Sequence, residues 1–212
     1  MTNDEKEDVQ EEFFKNINHI EELTIADNPL GSLDGIVKNL RRLTILKIMR
    51  CPIRACPSSI SELSALTSLQ LCHTLIVSLP NEIGALTNLV SLDVGDNMEL
   101  VSLPTTIGNL KALTHLNISG CPKLQRLPSQ IGGCVSLFEV VCLEMDLAVL
   151  PPAVSQLPNI AYINASFAED GNKLEFLREK QKADERANLT LWLGRSDVVI
   201  PDHLIKALVD MI

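Results

Sequence analysis

Six cysteines and four histidines are the residues of this chain whose chemistry could reach beyond packing. Cys121 and Cys134 lie thirteen residues apart in the stretch SGCPKLQRLPSQIGGC, residues 119–134, with prolines and glycines between them. Thiols in such a loop could be metal ligands, a redox pair or half of a disulfide framework. No CxxC pair accompanies them, and His19, His73, His115 and His203 fall in separate segments. His115 could approach Asp93 across adjacent strands, a pairing that would suggest acid–base work but reads first as an exposed polar pair. No nucleophile and no third orienting group stand beside it. The chain also lacks a phosphate-cradling glycine loop, an HExxH pair and a nucleophile-elbow sequence. The expectation is a protein without catalytic residues, cofactor or bound metal.

The bulk properties narrow the choice. The 212 residues are 46% hydrophobic and 3% aromatic with a net charge of −9. That length is ample for a buried core in one domain or an elongated array. No apolar run approaches the ~20 residues that cross a bilayer, so membrane insertion is not expected. The opening MTNDEKEDVQEEFF is acidic and polar, the reverse of a secretory leader, which points to a soluble, cytoplasmic protein with reduced thiols. Three N-x-S/T triplets, at Asn117, Asn164 and Asn188, are then without consequence. Residues 1–22 carry eight acids against Lys6 and Lys15, a net −6, which leaves −3 for the rest. Nucleic-acid binding calls for an extended basic surface and is not expected.

Self-similarity explains the cysteine stretch. The chain reads LTSLQLCHTLIVSLPNEIGALTN, then LVSLDVGDNMELVSLPTTIGNLKA, then LTHLNISGCPKLQRLPSQIGGCVS. Periods start at Ile20, Leu43, Leu66, Leu89, Leu113, Leu137 and Ile160, intervals of 23, 23, 23, 24, 24 and 23 residues. Each longer period has one extra residue, after Asn97 and after Cys121. Within LxxLxL the apolar residues alternate at the strand period of two, so Leu69/Leu71, Leu92/Val94, Leu116/Ile118 and Val140/Cys142 should point inward. One strand per period, stacked on its neighbours, makes a parallel sheet. The turn position after each strand holds Asn28, Cys51, Thr74, Asn97, Cys121 and Met145. Asn can satisfy backbone groups of adjacent coils there, Cys weakly and Met not at all. Pro57, Pro80, Pro104, Pro128 and Pro151 suit the first position of a short helical turn. That turn should bury Ile60, Ile83, Ile107, Ile131 or Val154. The first period has Asp34 in the proline position. Five of the thiols occupy apolar slots of the repeat and read as small buried hydrophobes; Cys72 is expected to be exposed.

The pattern LxxLxLxxN/CxL followed by LPxxIGxL closely resembles the leucine-rich repeats, over residues 20 to about 168. The 23-residue LPxxIGxL form is similar to the intracellular class of Scribble and Erbin, Ras-binding repeat proteins, plant intracellular homologues and the repeat tails of plant immune receptors. The resemblance implies an α/β fold, a right-handed horseshoe solenoid with a concave parallel sheet of about seven strands. Residues 1–19 form an acidic helical N-terminal cap, 20–168 the repeats, and 169–212 a C-terminal cap. In the C-terminal cap a helix over about 169–187 precedes LTLWLG at 189–194, which alternates like a strand. A last helix presents the stripe Leu204–Ile212, a cap surface that could also support self-association.

Repeat arrays of this kind bind proteins through the concave sheet, whose outward side chains vary freely. The central column runs Thr24, Lys47, Gln70, Asp93, Asn117, Val141, Asn164. The preceding one runs Glu22, Ile45, Ser68, Ser91, His115, Glu139, Tyr162, and the following one Ala26, Met49, Cys72, Gly95, Ser119, Leu143, Ser166. Two apolar spots emerge, Ile45/Met49 and Val141/Leu143/Tyr162, around a polar centre. Lys38, Arg41, Arg42, Lys47, Arg50 and Arg54 make the first two repeats basic, a complement to the acidic N-terminal segment or a guide for an acidic partner. Seven strands about 4.8 Å apart give a projected face of ~300–400 Å², well under the ~800 Å² per partner of a standard interface. Tight binding should therefore recruit loops or a cap. The expected function is a non-catalytic interaction scaffold or adaptor. A regulatory subunit that controls a bound phosphatase or small GTPase is the alternative by family resemblance, and a sensor fragment of the immune-receptor type is a third.

Overall fold

The computed structural model describes residues 19–143, 152–155, 157–165 and 190–192. The N-terminal cap helix, the turn residue Met145, Pro151 and both C-terminal helices with the Leu204–Ile212 stripe lie outside them.

Among the described residues eight strands form one parallel sheet in strict sequence order. They are β1 (Glu22–Ala26), β2 (Ile45–Met49), β3 (Ser68–Cys72), β4 (Ser91–Asp93), β5 (His115–Asn117), β6 (Glu139–Cys142), β7 (Tyr162–Ala165) and β8 (Thr190–Trp192). The sheet thus has one strand more than the seven expected, because the LTLWLG segment pairs in parallel with β7. Register follows the repeat: Leu23, Leu46, Leu69, Leu92, Leu116, Val140, Ile163 and Leu191 lie side by side. The alternating apolar residues face a single continuous interior, where Leu69, Leu71, Leu92, Val94, Leu116, Ile118, Val140 and Cys142 are all fully buried. Sheet and period agree because the strand repeat of two leaves only one register that hides every leucine.

The opposite wall is built from short 3-10 turns at Ser58–Glu62, Asn81–Ala85, Thr105–Asn109 and Ser129–Gly133. The proline stands one place earlier than expected, as the extended residue before each turn, with φ −72° and ψ 152° at Pro57. Its carbonyl accepts the first i→i+3 bond, from Ile60 N at 3.0 Å. Each turn drops one isoleucine into the core, and Ile60, Ile83, Ile107 and Ile131 are wholly buried. In the first repeat, where Asp34 replaces proline, the segment winds instead into a true α-helix, α1 (Asp34–Asn39), closed by Val37 N to Leu33 O at 3.0 Å. A second short helix, α2 (Pro152–Ser155), takes the same place in a later repeat and buries Val154.

Adjacent turns pack backbone to backbone. A methyl at Gly84 would strike the carbonyl oxygen of Thr106, and one at Gly108 the carbonyl oxygen of Gln130. Glycine is required there by proximity, which explains the IG of LPxxIGxL.

Candidate functional site

The outward columns of the sheet form the candidate site. At its centre Asp93 gathers three donors: Gln70 Nε2 at 3.1 Å, Asn117 Nδ2 at 2.9 Å and the Gly95 amide at 3.0 Å. Asn117 Oδ1 in turn accepts from Ser119 N at 3.1 Å, and Ser119 Oγ from Leu143 N at 3.1 Å. A polar ladder thus crosses β3, β4 and β5 and continues to the edge of β6. Side chains bound to one another in this way are held in place before any partner arrives, which reduces the ordering cost of binding.

Around that ladder lie the two apolar spots. Ile45 and Met49 are half-buried, as are Val141 and Leu143, and Lys47 stands between the first pair. Tyr162 and Asn164 occupy the expected positions on β7, opposite Glu139 and Val141. From β2 to β6 the site residues share one sheet face, with Ile45, Ser68, Ser91, His115 and Glu139 in one row and Lys47, Gln70, Asp93, Asn117 and Val141 in the next.

Three expectations are corrected. His115 does not meet Asp93, because register sets Asp93 beside Asn117 and His115 between Ser91 and Glu139. Its Nε2 lies 3.7 Å from Glu139 Oε2, and its Nδ1 2.7 Å from the Thr114 hydroxyl. Cys72 is buried at 6% exposure rather than exposed, since its thiol turns in to the Asp93 carbonyl oxygen, 3.8 Å away. Asn28 is exposed, so the first coil lacks the buried turn residue that Asn97 provides later. The basic region is also partly neutralised within the repeats, by Arg50 with Asp27 and by Arg41 with Glu62 at 2.6 Å.

The thiols offer no reactive centre. All six are unbridged and buried. Burial pushes Cys56 and Cys142 up to about 12 from an ordinary 9.0. Cys72 rises to about 12 through burial first and the charge of Asp93 second, and burial takes Cys121 and Cys134 to about 11. Since only the thiolate is nucleophilic, the upward shifts of these five thiols make them poor nucleophiles near neutral pH. Among the described residues no group of three or more His, Cys, Asp or Glu side chains is placed to hold a metal ion. No helix among them is long and apolar enough to cross a membrane.

Sequence reasoning missed a set of exposed apolar residues outside the three concave columns. Val77 is 50% exposed, Val101 51%, Met98 60% and Phe138 39%, the last with its ring centroid 6.3 Å from that of His115. The available signal was valine at positions 77 and 101 where Arg54 and Gln125 stand in neighbouring repeats.

A curved stack of parallel strands, closed on its far wall by proline-led turns, defines a repeat solenoid whose free surface is a sheet. The family profile described as a leucine-rich repeat region matches residues 60–175, and the chain belongs to that family. Among solved structures it is similar to the plant peptide hormone receptor RGFR1 in complex with RGF2, at 27% identity and TM-score 0.60 over 71% of this chain. The chain spans a quarter of that receptor's length. The leucine-rich repeat domain of the type III effector XopL aligns at 21% identity and TM-score 0.64, over 85% of this chain and 70% of that one. A leucine-rich repeat protein of Leptospira interrogans aligns at 22% identity and TM-score 0.45, over 89% of this chain and 58% of that one. No curated protein matches the sequence.

Proposed function

We propose that the protein is a non-catalytic interaction module, a cytoplasmic scaffold or adaptor of the 23-residue intracellular repeat class, that holds a polypeptide partner on its concave face. The observation that carries this reading is the pre-bonded ladder Gln70–Asp93–Asn117, flanked by half-buried aliphatic spots at Ile45/Met49 and Val141/Leu143. Apolar anchors around fixed polar groups are the composition that protein interfaces favour. The partner is expected to place apolar side chains on both spots and backbone or amide groups along the ladder. Lys47 and Glu139, at opposite ends, would set its direction. Likeness to a peptide hormone receptor described in complex with RGF2 supports a second form of the reading, a sensor whose ligand is a peptide.

Affinity capture from cytosol with the wild-type chain and with Gln70→Arg/Val141→Arg tests the concave assignment. A partner kept by the first and lost by the second supports it; a partner held equally by both contradicts it. Assay of any enzyme in the captured pair then separates scaffold from regulator.

A further inference from the structure

The descending flank of the solenoid, between the sheet and the proline-led turns, carries an apolar stripe that the concave face does not use. Ile53, Ile76, Leu100 and Leu124 are each fully buried on successive coils. The residue after each points outward: Arg54, Val77, Val101 and Gln125. Val77 and Val101 are half exposed and directly adjacent, tied by Val101 N to Val77 O at 2.9 Å and by a parallel bridge between Ser78 and Ser102. Met98, 60% exposed, extends the stripe toward the sheet. The nearby Glu99 and Lys123 neutralise each other at 2.5 Å. Arg54 at one end and Arg126 at the other are exposed, and neither makes an ion pair among the described residues.

We infer that this flank is a docking surface for an amphipathic, acidic helical segment of another protein. Coils lie about 4.8 Å apart, so Val77 and Val101 have about the spacing of neighbouring i, i+3 or i, i+4 side chains on a helix. Arg54 and Arg126 are three coils apart, roughly 14 Å, which is about ten residues of helix at 1.5 Å each. The fitting occupant therefore has two or three aliphatic residues on one face and a carboxylate toward each end. Charge decides the class of partner: the stripe is bracketed by two cations, Arg54 and Arg126, that make no ion pair among the described residues. The surface also supplies contact area that the narrow concave sheet lacks. It stands apart from the concave reading, since none of its residues belongs to those columns.

The test is a selection of displayed random peptides of about 16 residues on the full 212-residue chain. Winning peptides should carry Leu, Ile or Met pairs at helical spacing with Asp or Glu outside them. Synthetic versions should lose affinity about tenfold or more on Val77→Ser/Val101→Ser, and several-fold on Arg54→Glu/Arg126→Glu, while Gln70→Arg leaves them unchanged. Far-UV dichroism and the melting temperature should match wild type, because the four positions are exposed. Winners that bind the serine variant as well as wild type, or that are basic, would overturn the assignment. So would a wild-type dimer, or binding to phosphatidylserine vesicles, that the serine variant abolishes.

Discussion

Asn97 holds Thr74 with a single oxygen: its Oδ1 accepts from both the Thr74 amide and the Thr74 hydroxyl, each at 2.7 Å. Its Nδ2 donates to Leu71 O at 2.6 Å and Val94 O at 2.8 Å, and the side chain is completely buried. One carboxamide thus ties the third coil to the fourth and satisfies backbone groups on both. Asn97→Ala should cost about 3–5 kcal/mol, because it leaves a buried amide and at least one carbonyl without partners. Asn97→Asp should also destabilise, since a carboxylate cannot donate to the two carbonyls. Urea unfolding followed by far-UV dichroism measures both; a loss under ~1 kcal/mol in either would remove Asn97 from this role.

The convex turns depend on glycine for space. Gly108→Ala should destabilise by about 2 kcal/mol or more, since the new methyl meets the Gln130 carbonyl, which belongs to a rigid neighbouring turn. Gly31→Ala is the contrast, with nothing within 4 Å and an ordinary backbone angle. It should be neutral or stabilise by up to ~1 kcal/mol through the unfolded chain. Thermal melts of the two variants beside wild type decide it.

The buried thiols make stability depend on alkaline pH. Their folded values, about 11 to about 12, lie above the ordinary 9.0. Above pH 9 the native state holds more protons than the unfolded state, so stability present below pH 9 is lost as pH rises toward 11–12. Cys56 and Cys142, both raised by burial to about 12, should each contribute about 1.4 kcal/mol per pH unit within that window. Urea midpoints from pH 8 to 10.5 should fall, and fall less steeply in Cys56→Ala/Cys142→Ala. Near neutral pH an aromatic disulfide reagent should react with native thiols far more slowly than with the unfolded chain.

Much of this architecture was legible in the chain. Leucine alternation inside a constant period placed the strands, since shifting any strand by one residue would expose its whole apolar set. The buried isoleucine of each turn followed from the same spacing. What escaped was what depends on neighbours across coils rather than along the chain. His115 could be placed on β5, but whether it meets Asp93 or Glu139 depends on register, which the extra residue after Asn97 obscures. Cys72 occupies an outward column, yet lies low beside Gly95, a neighbour without a side chain to displace it. Asp34 was visible as a departure, but that the segment would become α-helix follows only from the freedom gained without proline. The flank stripe at Val77 and Val101 is not legible along the chain, because the two valines become neighbours only through the coil-to-coil backbone bond.

The division of labour between inward and outward strand residues is the claim on which the rest depends. It is tested most directly by reading urea stability and affinity for a captured partner on the same two substitutions, Leu92→Ala and Gln70→Arg. Leu92→Ala should cost about 3 kcal/mol of stability, with affinity unchanged where the variant is folded. Gln70→Arg should keep stability within ~1 kcal/mol of wild type and weaken binding about tenfold or more. A partner that binds Gln70→Arg with wild-type affinity, or a Leu92→Ala protein as stable as wild type, would contradict it.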